Sequence, residues 1–333
     1  MTPAISLRIR FSRPEALKRL VTAAEEYGVR GVWVNEPWGF DAGAVLGAVA
    51  ATTRRLLIGT HVCSVFARTP AATAGMAAAL QRLSGGRFRL GLGTSGPQVV
   101  EGWHGVPYER PLARLRDTVC VVRTALAGEP VRREVPGGRG LALRFSQLGE
   151  PITVPVYLAS LGPVSQRLAA EVADGWTPTP YSPDHHQACA GPLLAALDAA
   201  GRSIALAPVC PVAIGDDLPA LWELERGWSA LYLGGMGTRR ENFYASVARA
   251  MGHAEMVDRV GERWRAGDRA GARCAVDTEY ADSVGLYGPP ARIRERLARY
   301  ADAGVDEIAV ELRKPDLDDQ IDDLRRLCEV AIG

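Results

Sequence analysis

Lysine is almost missing from this 333-residue chain. Lys18 and Lys314 are the only two, and arginine supplies the rest of the 39 basic residues. We read this as the bias of a GC-rich coding sequence. The 38 acidic residues leave a net charge of +1, and there is no extended basic run, so a general nucleic-acid-binding role is excluded. No stretch approaches the ~18 uninterrupted apolar residues of a membrane helix. Arg8 and Arg10 fall where a secretory signal would need its apolar run. The six cysteines are scattered and form no CxxC pair, which fits reduced thiols in a cytoplasm rather than a disulfide framework. The five histidines, His61, His104, His185, His186 and His253, lack the spacing of a zinc site. A GxSxG elbow, a Walker loop and a GxGxxG turn are all missing too. With metal and nucleophile set aside, the chemistry is expected to belong to a bound organic cofactor.

What the sequence does hold is alternation. Short runs rich in Val, Ile and Leu at 5–11, 31–35, 56–60, 87–92, 154–158, 174–177, 204–214 and 305–310 read as strands. Helical segments separate them, at 14–27, 41–52, 70–83 and 111–127 in the first half. The Gly- and Pro-rich stretch 128–153 reads as an irregular surface piece. Eight strands with returning helices fit either a doubly wound sheet or a closed (β/α)8 barrel. The length and the lack of a break between two halves favour an α/β TIM barrel spanning 1–333 as one domain. Between strands seven and eight, residues 215–303 form an unusually long insertion, expected to be helical at 218–231, 239–251, 254–266 and 289–303.

In such a barrel the site lies at the C-terminal ends of the strands. There the small residues Gly93-Thr94-Ser95-Gly96-Pro97 follow strand four, and Ser160-Leu161-Gly162-Pro163-Val164-Ser165 follows strand five. Small residues let backbone amides approach an anion, and a helix opened by proline presents unpaired N–H groups to a phosphate. Two such turns on successive loops suggest one phosphorylated ligand across the mouth, although plain turns have the same composition.

The segments RTPAATAGMAAALQRLSGGRFRLGLGTSGPQVVEGWHG, PVYLASLGPVSQRLAAEVADGW, LYLGGMGTRRENFYASVARAMG and YGPPARIRERLARYADAGVDEIAV run in order over most of the chain. Together they resemble the luciferase-like family of flavin and deazaflavin oxidoreductases, and within it the branch that uses coenzyme F420. The resemblance implies a (β/α)8 barrel with a helical insertion before the last strand. It also implies a non-prolyl cis peptide at His61–Val62 behind the cofactor ring, with Ser64 close by. Thr94, Ser95 and Gly96 would contact the cofactor. Leu161, Gly162, Val164 and Ser165 would hold its phosphate, and Glu36 would lie beside it. The family's sugar-phosphate dehydrogenases carry a histidine where this chain has Pro37 and a glutamate where it has Gly96. Their phosphate-binding lysine has no counterpart in Pro178-Thr179-Pro180-Tyr181. A glucose 6-phosphate activity is therefore not expected.

The expected activity is reduction of an electron-poor C=C, C=N or C=O bond in a small molecule, with Glu36, Glu101, His104 or Tyr181 as the proton donor. Trp38, Phe66, Trp103 and Trp176 are expected to wall the pocket. Arg10 either faces the mouth, where it could hold an anion, or turns with Arg8 towards the outer helices. FMN with oxygen chemistry is the alternative cofactor reading, and a cofactor-binding barrel without catalysis is a third. The resemblance also implies a homodimer.

Overall fold

The computed structural model describes residues 2–36, 38–135, 138–237 and 242–332, and the side chain of Val135 lies outside the description. Pro37, the departure from the family histidine, falls outside it, as do the first residues of the helix expected at 239–251.

The strands are β1 (Ala4–Ile9), β2 (Gly31–Val34), β3 (Leu57–Thr60), β4 (Phe88–Gly93), β5 (Val156–Leu158), β6 (Gly175–Trp176), β7 (Ala205–Leu206), β8 (Val209–Ile214), β9 (Leu286–Gly288) and β10 (Glu307–Leu312). They pair in parallel in the order β7-β6-β5-β4-β3-β2-β1-β10-β8-β9. β7 and β8 are one strand interrupted at Pro208, and this strand closes the ring. Ala207 N bonds Trp176 O on one side at 2.8 Å, and Ala309 N bonds Pro208 O on the other at 2.9 Å. The result is an eight-stranded (β/α)8 barrel, with β9 added beside the outer end of β8.

Helices α1 (Pro14–Glu26), α2 (Ala42–Thr52), α3 (Pro70–Leu83), α4 (Pro111–Leu126), α5 (Pro163–Val172) and α6 (His186–Ala200) follow the strands. Proline at the start of α1, α3, α4 and α5 supplies a fixed φ where no N–H partner is needed. The insertion holds α7 (Leu218–Gly235), α8 (Phe243–Ala250), α9 (Ala254–Arg265), α10 (Arg269–Cys274) and α11 (Thr278–Ser283). α12 (Pro290–Asp302) and α13 (Leu317–Ile332) flank β10. Residues 215–303, expected to be mostly helical, also contain β9 between the helices expected at 254–266 and 289–303; three residues are too few to show a strand period. The piece at 128–153 contains a small antiparallel pairing of Glu134–Val135 with Gly138–Arg139. No helix among the described residues is long and apolar enough to cross a membrane.

Period-two alternation sorts the barrel interior from the helix layer. On β1, Ile5, Leu7 and Ile9 pack outward in the main core, as do Ile308 and Val310 of β10. The opposite parity therefore points inward: Arg8 on β1, and Glu307, Ala309 and Glu311 on β10. At the barrel floor Glu307 accepts from Trp33 Nε1 at 2.9 Å and from Arg89 Nη1 at 2.7 Å. The Arg89 guanidinium lies 4.1 Å over the Trp33 ring. At the other end Glu311 receives Arg8, so Arg8 faces the barrel interior and not the outer helices.

Candidate active site

At the C-terminal ends of β1 to β4, under the start of the insertion, lies a cavity of about 440 Å3. Its floor is made where β3 overruns into the segment Cys63–Ser64, which pairs with Leu92–Gly93 of β4. The His61–Val62 peptide bond at this crossing is cis. The approach is close enough to require glycine on β4. A Cβ on Gly91 would meet Thr60 O at 2.0 Å, and one on Gly93 would meet Val62 Cγ2 at 2.8 Å. Thr60 Oγ1 bonds both Gly91 O and Gly91 N at 2.8 Å, so the two strands stay locked across this gap.

His61 lines the cavity and is otherwise buried. Burial, reinforced by the neighbouring Arg8 charge, lowers its pKa to about 3, so the imidazole is neutral at ordinary pH. Arg8 Nε donates to His61 Nδ1 at 3.1 Å, which leaves the ring proton on Nε2. Nε2 lies 2.5 Å from Thr177 Oγ1, and that hydroxyl donates onward to Ala207 O at 2.8 Å.

Arg8 also opens an ionic cluster. It pairs with Glu311, which takes Arg313 Nη1 at 2.7 Å and Arg10 Nε at 3.1 Å. Burial alone would push the Glu311 carboxyl up, but Arg313, Arg8 and Arg10 outweigh it and hold it at about 2. Arg313 Nε continues to Glu225 at 2.8 Å, and Glu225 also accepts from Ser229 at 2.9 Å and Tyr287 at 3.1 Å. Arg10 stacks 3.6 Å over Trp228 of α7, so it joins the cluster from the mouth side.

Of the residues singled out in the sequence, His61, Val62, Ser64, Ser95, Gly96, Glu36, Glu101 and Trp38 line the cavity. Thr94, Leu161, Gly162, Val164 and Ser165 do not. Of these, Gly162 comes beside it, because a Cβ there would sit 3.2 Å from the ring of Phe243, a lining residue, whereas Val164 is exposed on another face with Arg116 and Glu171. Three of the four expected proton donors sit in surroundings that the sequence did not show. Glu36 is committed to Arg68, whose Nη2 reaches Oε2 at 2.8 Å, and to Ala42 N at 2.6 Å. Tyr181 is 1% exposed, wedged between Trp176 and Tyr300, with its hydroxyl 2.7 Å from His186 Nδ1. His104 lies beyond the short helix Pro97–Gly102, where Gly105 at φ +64° turns the chain, and it is not a lining residue. Trp103 is 63% exposed, Trp176 belongs to the core, and Phe66 stacks on Tyr108 at 5.2 Å. Sequence reasoning missed Tyr108, Tyr232, Phe243 and Tyr244, which also line the cavity. The last three come from the insertion, and no local signal shows which face of α7 or α8 covers the mouth.

The family model for luciferase-like monooxygenases matches residues 3–307. This chain belongs to that family. The luciferase-like chain is 37% identical over 318 residues to a Mycobacterium tuberculosis protein whose name classes it as a coenzyme F420-dependent oxidoreductase, covering 89% of this chain and 90% of that one. It is 25% identical over 300 residues to the 5,10-methylenetetrahydromethanopterin reductase of Archaeoglobus fulgidus, covering 88% of each. Among solved structures, the F420-dependent tetrahydromethanopterin reductase of Methanopyrus kandleri superposes with a TM-score of 0.79 at 20% identity, over 98% of each chain. At that identity the likeness supports the luciferase-like fold.

Proposed function

We propose that this luciferase-like barrel is an F420-dependent oxidoreductase that reduces an electron-poor C=C, C=N or C=O bond of a small molecule. One observation carries the reading. The cavity at the strand ends is floored by His61, Val62 and Ser64, in a chain 37% identical to a protein named as F420-dependent.

The donor set suits the cofactor. A flat ring can rest against the His61–Val62 segment, which Gly91 and Gly93 allow to lie directly on β4. Ser64 and Ser95 offer hydrogen-bonding groups along the wall. α5 begins at Pro163 with no side-chain cap, so its first-turn amides at Val164 and Ser165 are open to a phosphate. The Ser160 hydroxyl next to this turn is buried with no partner among the described residues. When bound, reduced F420 supplies a hydride from its ring. This chain's residues would orient the acceptor, exclude water and provide a proton. Neutral His61 keeps a polar edge at the ring without adding charge. Glu101 lines the cavity and, among the described residues, forms no ion pair; its carboxyl takes only the Tyr108 amide at 3.2 Å. It is our candidate for the proton donor.

The test is titration of the purified protein with F420 and, separately, with FMN, read by quenching of Trp38 at the cavity wall. Saturable F420 binding with far weaker FMN binding supports the reading. Preferential FMN binding, or no F420 binding, refutes it.

A further inference from the structure

Behind the main cavity lies a smaller chamber of about 40 Å3, and Arg8, Thr179, Tyr232 and Tyr244 line both. By its volume it holds about three waters or one small polar group. Its deeper wall is the ionic cluster of Arg8, Glu311, Arg313 and Glu225. With Arg10 counted, three guanidiniums face two carboxylates, so the cluster carries one uncompensated positive charge.

The donors are in excess as well. Arg8 uses Nε on His61 and Nη1 on Glu311. Arg313 uses Nε on Glu225 and Nη1 on Glu311. No partner among the described residues occupies Nη2 of either arginine, nor the hydroxyls of Tyr232 and Tyr244. All these groups donate hydrogen bonds, and both carboxylates that could accept from them already take two or more. A small chamber with spare donors and a spare positive charge is complementary to a planar anion.

We infer that the acceptor substrate carries a carboxylate, seated in this chamber against Arg8, Arg313 and the Tyr244 hydroxyl, with its reducible bond left in the main cavity. The inference deepens the proposed function by naming the substrate class. The carboxylates of F420 share this chemistry, so the test separates the two sources.

The probes are crotonate and its uncharged amide, crotonamide, titrated calorimetrically into the cofactor-free protein and into protein saturated with F420. Crotonate should bind at least about tenfold more tightly than the amide, the effect of a charge-assisted hydrogen bond. It should bind equally well in the presence of F420. Tyr244→Phe, which keeps the ring, and Arg8→Gln should each weaken crotonate by several-fold up to about tenfold while leaving the weak amide binding unchanged. Equal affinity for acid and amide overturns the inference, as does displacement of crotonate by F420 or an unchanged crotonate affinity in Tyr244→Phe. Crotonate binding by a protein that ignores F420 would sink the cofactor assignment and leave the anion site standing.

Discussion

Arg8 and His61 are joined by a single hydrogen bond of 3.1 Å from Nε to Nδ1, and that bond fixes which imidazole nitrogen carries the proton. The ring is therefore expected to be neutral, with hydrogen on Nε2, throughout the range where free histidine titrates. Nitrogen-detected NMR of the histidine side chains checks this. An imidazolium signal for His61 at pH 5 would contradict it.

The same residue sets a pH dependence of stability. Its pKa is about 3 in the fold against 6.5 for an unperturbed histidine, so on acidification the unfolded chain takes up the proton first. The His61 contribution is complete above about pH 6.5 and declines towards pH 3, at about 1.4 kcal/mol per pH unit where the slope is full. Burial also lowers His186 and His253, so wild type must be compared with His61→Gln. Chemical denaturation of both proteins from pH 7 to pH 4 should show a shallower decline in the variant.

Glu311 ties three guanidiniums together within the barrel. Glu311→Gln should destabilise by about 3–5 kcal/mol, because it leaves buried positive charge without its partner. Glu171→Gln breaks the exposed pair with Arg116 and should cost less than about 1 kcal/mol. Urea midpoints of the two variants provide the comparison.

The floor of the cavity makes a prediction that separates folding from binding. Gly91→Ala drives a Cβ into the Thr60 carbonyl and should abolish stable folding. Gly93→Ala is crowded by the Val62 side chain alone and meets Ala159 at ordinary contact distance, so the variant should fold. It should lose F420 affinity by about tenfold or more, since the added methyl pushes the lining residue Val62 into the cavity. Thermal melting and F420 titration distinguish the two effects.

Among the proton-donor candidates, Glu101→Gln should lower F420-dependent turnover by about 10²-fold or more once a substrate is in hand, the usual scale of general-acid catalysis. His104→Gln should leave turnover unchanged. Tyr181→Phe should too, while costing about 1 kcal/mol of stability through the lost bond to His186.

The strands of the first half were legible because each combines an apolar run with a boundary signal, as in GVWVN after Gly28. The loops after β3 and β4 were legible as site loops because barrel geometry puts strand ends at the mouth. The orientation of Arg8 was readable in principle. Three apolar residues of one parity on β1 demand the helix layer, so the charged parity must go inside. The break at Pro208 was hidden in what reads as one continuous run, and β9 was too short to announce itself. Tyr232 and Tyr244 reach the cavity only through packing of the insertion over the barrel, which a linear pattern does not encode.

The charges inside the barrel come from opposite ends of the chain. Arg8 and Arg89 lie in the first hundred residues, while the carboxylates that neutralise them, Glu311 and Glu307, are both on β10. A fragment ending before β10 would bury guanidiniums without counterions, a state too costly to persist. Half-barrels of this protein should therefore be unable to survive alone, and complementation between separately expressed halves would depend on the carboxylates of one meeting the arginines of the other.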